Sequence, residues 1–433
     1  LQHLIRYIRI KASQELNKTL QGENHELHKE CSIAPIRLKT ASQNLSGDCP
    51  MLDQLNIPIT QSEGQNWLSL VESLGQQFAA REVEADESDL FVADNIARLK
   101  ASGLVSAGVP AELGGGGASY ADLCAALRIL GRHSSSTALA FSMHTHQVMI
   151  PTWRWHNQKA PVDGLLRRIA TEQLILLSSG GSDWLQSAGT AIKVEGGFLV
   201  NARKVFASGA PIANLLMTSA VYDDPELGST VLHFAVPMTA QGVSIESTWQ
   251  AMGMRGTGSH DVVLSDVFVP DSAVALRREQ GKWHFIFHLI SMVAIPLVYS
   301  VYVGVAEAAR DRAVQLAMKR RTDEHLCYMV GGLDNELMAA KLALQHIIST
   351  AVVSQPSFET TNQVMTGRTL VAKAVLNVAD LAMEIAGGSA FYRKLGLEKL
   401  FRDVQGVRYH PLREEAQRKL SGQLALEWNT AAL

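Results

Sequence analysis

Between Phe285 and Ala306 the chain runs for 22 residues, FIFHLISMVAIPLVYSVYVGVA, without an Asp, Glu, Lys or Arg. No other stretch restricts the fold so strongly. As a helix it would extend roughly 33 Å at about 1.5 Å per residue, long enough by itself to cross a bilayer. It also carries His288, Ser291, Pro296 and Ser300, and no second span accompanies it. A helix that is apolar on every side has to be covered on every side. The expectation is therefore a helix inside a large bundle, with no membrane partner. The 433 residues, 47% of them apolar, are enough for two or three domains or layers with real cores. Thirty-nine Lys and Arg against 42 Asp and Glu leave a net charge of −3. That balance gives no electrostatic case for nucleic acid or an anionic membrane. Cys31, Cys49, Cys124 and Cys327 have no paired spacing. A structural metal site is not expected, and scattered thiols suit a reducing compartment such as the cytoplasm.

The segments around this helix follow two different periods. Residues 1–60 are polar and largely patternless, and are read as a flexible extension. NWLSLVESLGQQFAAREVEADESD and DLFVADNIARLKASGL repeat apolar residues at helical spacing, with Asp89 placed to cap the second. GVPAELGGGGASY reads as a loop, followed by the helices ADLCAALRILGRH and TALAFSMHTHQVMI. From Leu174 to Pro270 short alternating or β-branched runs take over: LILLS, AIKV, GFLVNARKVFAS, NLLMTSAVY, TVLHFAVP and DVVLSDVFV. These predict antiparallel strands. Beyond Asp271 helices return, at Phe285–Leu316, Leu333–Val353, Thr369–Ile385 and near Glu414–Glu427. The expected class is α+β: an N-terminal helical domain over 61–172, a middle antiparallel β domain over 173–278, and a C-terminal helical bundle over 279–433.

Two glycine-rich stretches invite a nucleotide reading and do not sustain it. LGGGGASY lacks the Lys-Ser/Thr of a phosphate loop and follows a helix. GMRGTGSHDVVL leads into a strand, the reverse of a dinucleotide-binding turn. Taken in order, however, GLVSAGVPAELGGGGASYADL, GSD at Gly181–Asp183, LVNARKVFASGA, WQAMGMRGTGSHDVVLSDVFVP and EIAGGSAFYRKLGLEKLFRD form a series. In that series the chain resembles the acyl-CoA dehydrogenases, over roughly residues 61–427.

The resemblance implies a flavin, usually FAD, held between the β domain and the C-terminal helices. SSGGSD stands where the family has a Thr-Glu-Pro-containing turn, and implies contacts from Ser178, Ser179 and Ser182 to the flavin or its phosphates. The Glu-Pro itself is missing. Phe206 falls where the family often places a Trp beside the flavin ring, and Ser208 where a Thr meets the ring edge. A flat stacking surface and a short hydroxyl suit that ligand. Gly387 and Gly388 match a double-glycine turn that lets backbone N–H groups approach the cofactor, often that of a neighbouring subunit. Arg320 or Arg321 stands at the family's arginine that reaches the partner's cofactor, though TDEHLC replaces the aromatic-glycine pair that follows it.

The same resemblance implies oxidation of an acyl thioester, probed by asking which residue takes the α proton. Many members have a Glu nine residues after the Arg of RD; counting from Arg402 reaches Pro411. Others place it near the position of Ala294, on a segment with no carboxylate between His284 and Glu307. Neither usual base is present. His410 precedes Pro411, and a histidine there resembles the flavin-dependent monooxygenase branch typified by dibenzothiophene monooxygenase, which often uses reduced FMN. In that branch the matching residues are His410, Ser208 and either His144 or His146. Imidazole titrates near neutrality, so it serves as proton donor or weak base. Glu414 and Glu415 lie close enough in sequence to supply a dehydrogenase base instead. Three readings follow: an acyl-CoA dehydrogenase, a monooxygenase that needs a flavin reductase, and a non-catalytic binder of acyl-CoA or a partner. The family implies a homotetramer or homodimer.

Overall fold

Helix, sheet, helix is the order in which the chain builds its elements. The computed structural model describes residues 66–427, except Gly180 and the side chain of Ser182. The extension expected over residues 1–60 lies outside the described residues. The first helices are α1 (Trp67–Glu87), α2 (Ala93–Ala101), α3 (Tyr120–His133), α4 (Ser135–Gln158) and α5 (Asp163–Glu172). Asn66 caps α1 by accepting from the Ser69 amide, and Ser119 caps α3 by accepting from that of Asp122. Asp89 does not cap α2. The segment before α2 is pinned by amide bonds from Leu90 to Ala85 O and from Val92 to Gly256 O. The helix therefore starts only at Ala93, and Asp89 sits in a turn at φ 51° facing Arg255.

The sheet contains β1 (Leu176–Ser178), β2 (Thr190–Val194), β3 (Gly197–Lys204), β4 (Leu215–Asp224), β5 (Gly228–Pro237), β6 (Val243–Glu246), β7 (Asp261–Pro270) and β8 (Val274–Glu279). Its order is β6-β7-β3-β2-β4-β5-β8, with β1 added on β4. Most pairs are antiparallel as the alternation predicts, but β1 and one residue pair of β2 run parallel to β4. Strands β6 and β8 are not legible in the sequence. They are short edge strands with charged or exposed positions, and so lack an apolar face to announce them. Phe198, Val200, Leu216, Leu232, Phe234 and Val262 fill the core of the sheet.

The last part comprises α6 (Phe285–Ala317), α7 (Glu324–Val353), α8 (Phe358–Ala386), α9 (Leu397–Val404) and α10 (Glu414–Ala425). Helix α6 contains the uncharged stretch and packs against α3, α4, α7 and α8. Its most apolar window is 94% buried, so it is a core helix of this fold. The approach to α3 is very close. A Cβ on Gly131 would stand 2.5 Å from Val301 O, and one on Gly304 would stand 2.1 Å from Arg128 O. The two backbones touch because neither glycine has a side chain. Helix α9 escapes the sequence reading because its buried face is charged: Lys399 and Asp403 pair with each other and with Glu82 and Ser135.

One buried ion pair fixes the end of β3 beneath the Gly181–Asp183 turn. Lys204, fully buried, donates to Asp183 Oδ2, Ala188 O and Ser219 O, each at 2.6 Å. Its three protons thus have three acceptors. Asp183 Oδ1 in turn accepts from the Ala188 amide.

Three outcomes are expected from denaturant unfolding. Gly304→Ala should lose about 1–3 kcal/mol by overpacking the α3–α6 contact. Gly331→Ala on α7, where a Cβ meets nothing within 4 Å, should be neutral or stabilising. Lys204→Met leaves a buried carboxylate uncompensated and should cost about 3–5 kcal/mol, much of it restored when Asp183→Leu is added.

Candidate active site

The Arg402–Leu412 stretch divides into an anchor and a site. Arg402 bonds Asp86 and Glu398 through its guanidinium and also donates to Met252 O, while Asp403 accepts from the Met254 amide. These bonds tie α9 to α1 and to the segment before β7. Further along, the loop meets the turn after β1: a Cβ on Gly181 would lie 2.8 Å from Pro411. His410 is therefore held beside the Gly181–Asp183 turn.

The bundle holds His410 from two sides. Its Nε2 is 2.7 Å from the Tyr302 hydroxyl of α6. Its backbone carbonyl accepts from Arg368 of α8 at 2.8 Å, and Arg368 also bonds Val407 O at 3.3 Å. Tyr299 donates to the same Val407 carbonyl at 2.9 Å, and the guanidinium lies 5.3 Å from its ring. Among the described residues these carbonyls, and no carboxylate, are the partners of Arg368, and its Nε is buried without one. Burial first, and then the nearby charges of Arg368 and His146, push the His410 imidazole down to about 3. It is neutral throughout the physiological range.

The two histidines of α4 take different places. His144 bonds Val105 O, in the turn after α2, through Nε2 and accepts from the Leu176 amide of β1 at Nδ1, so one ring nitrogen holds that turn and the other joins α4 to the sheet. His146 bonds Ser142 O through Nδ1 and faces Gln147 through Nε2. Burial lowers both to about 4. His146 is the one close enough to act on His410.

Phe206 follows the buried Lys204 by two residues. Its backbone is held at φ 58°, a strained region for an aromatic residue, and its ring is 58% exposed. Trp249 meets it edge-on at 6.0 Å. Ser208 is 2.7 Å from Ser259, which is 2.7 Å from Thr257, and Thr257 donates to Met254 O. Ser178 and the largely buried Ser179 have no side-chain hydrogen bond among the described residues. Ser182's side chain lies outside the described residues.

A Cβ on Gly387 or Gly388 would meet nothing within 4 Å, although Gly387 needs its freedom at φ 63°. Arg320 donates to Ile385 O at the end of α8, whereas Arg321 is exposed. Sequence reasoning missed Tyr299, Tyr302 and Arg368. The signal for the tyrosines was available, because two hydroxyls three residues apart on an otherwise apolar helix need partners. It also missed Trp184, whose ring packs on Phe287 at 5.0 Å while its indole Nε1 is buried without a partner among the described residues. An exposed flat ring held under strain, free hydroxyls and an orphaned buried donor fit a planar ligand with a polar edge, as a flavin is.

Three family models match in succession: the acyl-CoA dehydrogenase N-terminal domain over residues 69–163, the middle domain over 178–267 and the C-terminal domain over 296–419. YdbM of Bacillus subtilis (strain 168), assigned provisionally as an acyl-CoA dehydrogenase, is 27% identical over 84% of this chain and 97% of its own. L-evernosamine nitrososynthase of Micromonospora sp. (strain ATCC 39149) is 28% identical over 84% of this chain and 90% of its own. Dibenzothiophene monooxygenase of Mycolicibacterium goodii is 24% identical over 82% and 91%. The solved structure of KijD3 with FMN and a dTDP-linked amino sugar superposes with a TM-score of 0.77 at 25% identity, covering 85% of this chain and 94% of that one. Relatives of this kind use FAD or FMN, and dehydrogenases and monooxygenases stand side by side among them. The chain belongs to the acyl-CoA dehydrogenase family and is a flavin-dependent oxidoreductase.

Proposed function

We propose that this oxidoreductase is a monooxygenase that uses reduced flavin, delivered by a separate reductase, to oxygenate a small molecule. The observation that carries this reading is that the loop where a dehydrogenase needs its carboxylate presents His410, hydrogen-bonded to Tyr302, instead. The carboxylates considered for the two usual base positions are engaged elsewhere or face solvent. Glu414 pairs with Lys373 at 2.8 Å, Glu415 is exposed, and Glu307 pairs with both Arg128 and Lys341. A histidine whose proton affinity is this low is a poor base toward carbon.

The bound flavin supplies the electrons that activate oxygen. The protein's part is binding, orientation and proton placement. Phe206 offers the stacking surface, and the side chains of Ser178 and Ser179, without hydrogen bonds among the described residues, are available to polar atoms of the ligand. The hydroxyl chain has a direction: Thr257 gives its proton to Met254 O, so Ser259 donates to Thr257 and Ser208 donates to Ser259. Ser208 Oγ is thereby left as an acceptor for a ring N–H. His410 would face oxygen that gains negative charge, where a hydrogen bond lowers the barrier. The exposed Phe391, Tyr392 and Arg321 beside the double-glycine turn support a second copy of the chain covering that end of the site.

A second reading, acyl thioester oxidation, draws support from the similarity to YdbM across nearly its whole length. One set of experiments separates the two. Under anaerobic conditions saturated acyl-CoAs should leave the oxidised flavin unbleached. With reduced FMN and labelled dioxygen, label should enter a product from a panel including dibenzothiophene and a dTDP-amino sugar. Bleaching by an acyl-CoA would overturn the monooxygenase reading. His410→Gln should reduce labelled product about 100-fold or more while flavin binding stays within a few-fold.

A further inference from the structure

The side chains around His410 determine more than its position. Tyr302 is fully buried, and its hydroxyl has one hydrogen-bond partner among the described residues, His410 Nε2 at 2.7 Å. A phenol in that setting has one proton to place, and Nε2 is the acceptor within reach. If Nε2 carried the imidazole proton, the buried hydroxyl proton would have no acceptor, an arrangement that native structures avoid. Burial also pushes the phenol well above its ordinary value, so loss of that proton is no escape.

The second ring nitrogen, Nδ1, has no hydrogen bond among the described residues. The backbone beneath the ring is clamped. Arg368 bonds the carbonyls of Val407 and His410, Tyr299 bonds Val407 as well, and Gly406 lets the loop pass close to Tyr302, since a Cβ there would stand 2.7 Å from the phenol oxygen.

We propose that Tyr302 is a positioning residue that fixes His410 as the Nδ1–H tautomer, with Arg368 and Tyr299 clamping the loop, so that the site receives a neutral hydrogen-bond donor. This deepens the functional reading above, on which its catalytic meaning rests. His410 then has no free lone pair, and its role is donation to an oxygen that becomes negative. The fixed cation of Arg368 near the ring, together with His146 from α4, opposes a second proton.

The tautomer is measurable without flavin or substrate. Histidine-labelled, flavin-free protein is examined by solid-state ¹⁵N NMR, and the His410 signals are assigned by their loss in His410→Gln. Wild type should show Nδ1 protonated and Nε2 bare, with the tautomer favoured about tenfold or more. Tyr302→Phe, which preserves the ring, should shift His410 toward the Nε2–H form. Tyr299→Phe, whose lost hydroxyl serves Val407, should leave the tautomer as in wild type. An Nε2–H histidine in wild type, or an unchanged tautomer in a folded Tyr302→Phe protein, would overturn the proposal. Failure of the oxygenation reading would show separately, as bleaching of the flavin by a saturated acyl-CoA and no labelled product in a wild type whose His410 tautomer is Nδ1–H.

Discussion

Helix α6 is buried around its whole girth, and the rest of the bundle follows from that. A helix without charges for six turns cannot rest on the surface, so α3, α4, α7 and α8 surround it. Close cover requires small residues, and Gly131 and Gly304 supply the contact at which two backbones meet. Polar atoms on such a helix need partners within reach. Ser291 and Ser300 return their protons to the helix's own carbonyls, while Tyr299 and Tyr302 reach out to the loop that bears His410. The helix that first looks like a membrane span thus becomes the support of the candidate site.

The sheet contributes the other wall by a different device. Lys204 is buried but completely satisfied, and it anchors the strand end from which Phe206 projects. Arg368, equally buried, is satisfied among the described residues by carbonyls alone, and its Nε has no partner there. The first arrangement stabilises the fold once its desolvation is offset by three bonds. The second leaves a positive field beside a histidine. Strain at Phe206 and the buried Arg368 Nε without a partner among the described residues are departures from ordinary packing.

Much of this was legible in the sequence because it is periodic. The switch from helical to alternating patterns, the central helix and the order of motifs identify the fold. Edge strands β6 and β8 and helix α9 were not legible, since their side chains are charged and read as surface. The Lys399–Glu82–Asp403 cluster shows why: only the structure reveals that charges far apart in sequence bury one another. The site was half legible. Phe206, Ser208 and His410 stand within recognisable motifs, so the sequence offers them as candidates. Tyr302 and Arg368 lie 108 and 42 positions from their partner and belong to helices whose spacing looks like plain core. Between His144 and His146 the sequence had no basis for choice, whereas hydrogen bonding commits His144 to joining α4 and β1.

The central claim is that the strained, exposed Phe206 ring forms the flavin-facing surface of a site closed by the His410 loop. The direct measurement is titration of FMN and FAD into flavin-free wild-type and Phe206→Ala protein, followed by quenching of flavin fluorescence. The account predicts saturable binding by wild type and a loss of about tenfold or more in affinity for the variant, the scale of one aromatic stacking contact. Equal affinity of the two folded proteins would contradict it and place the flavin elsewhere.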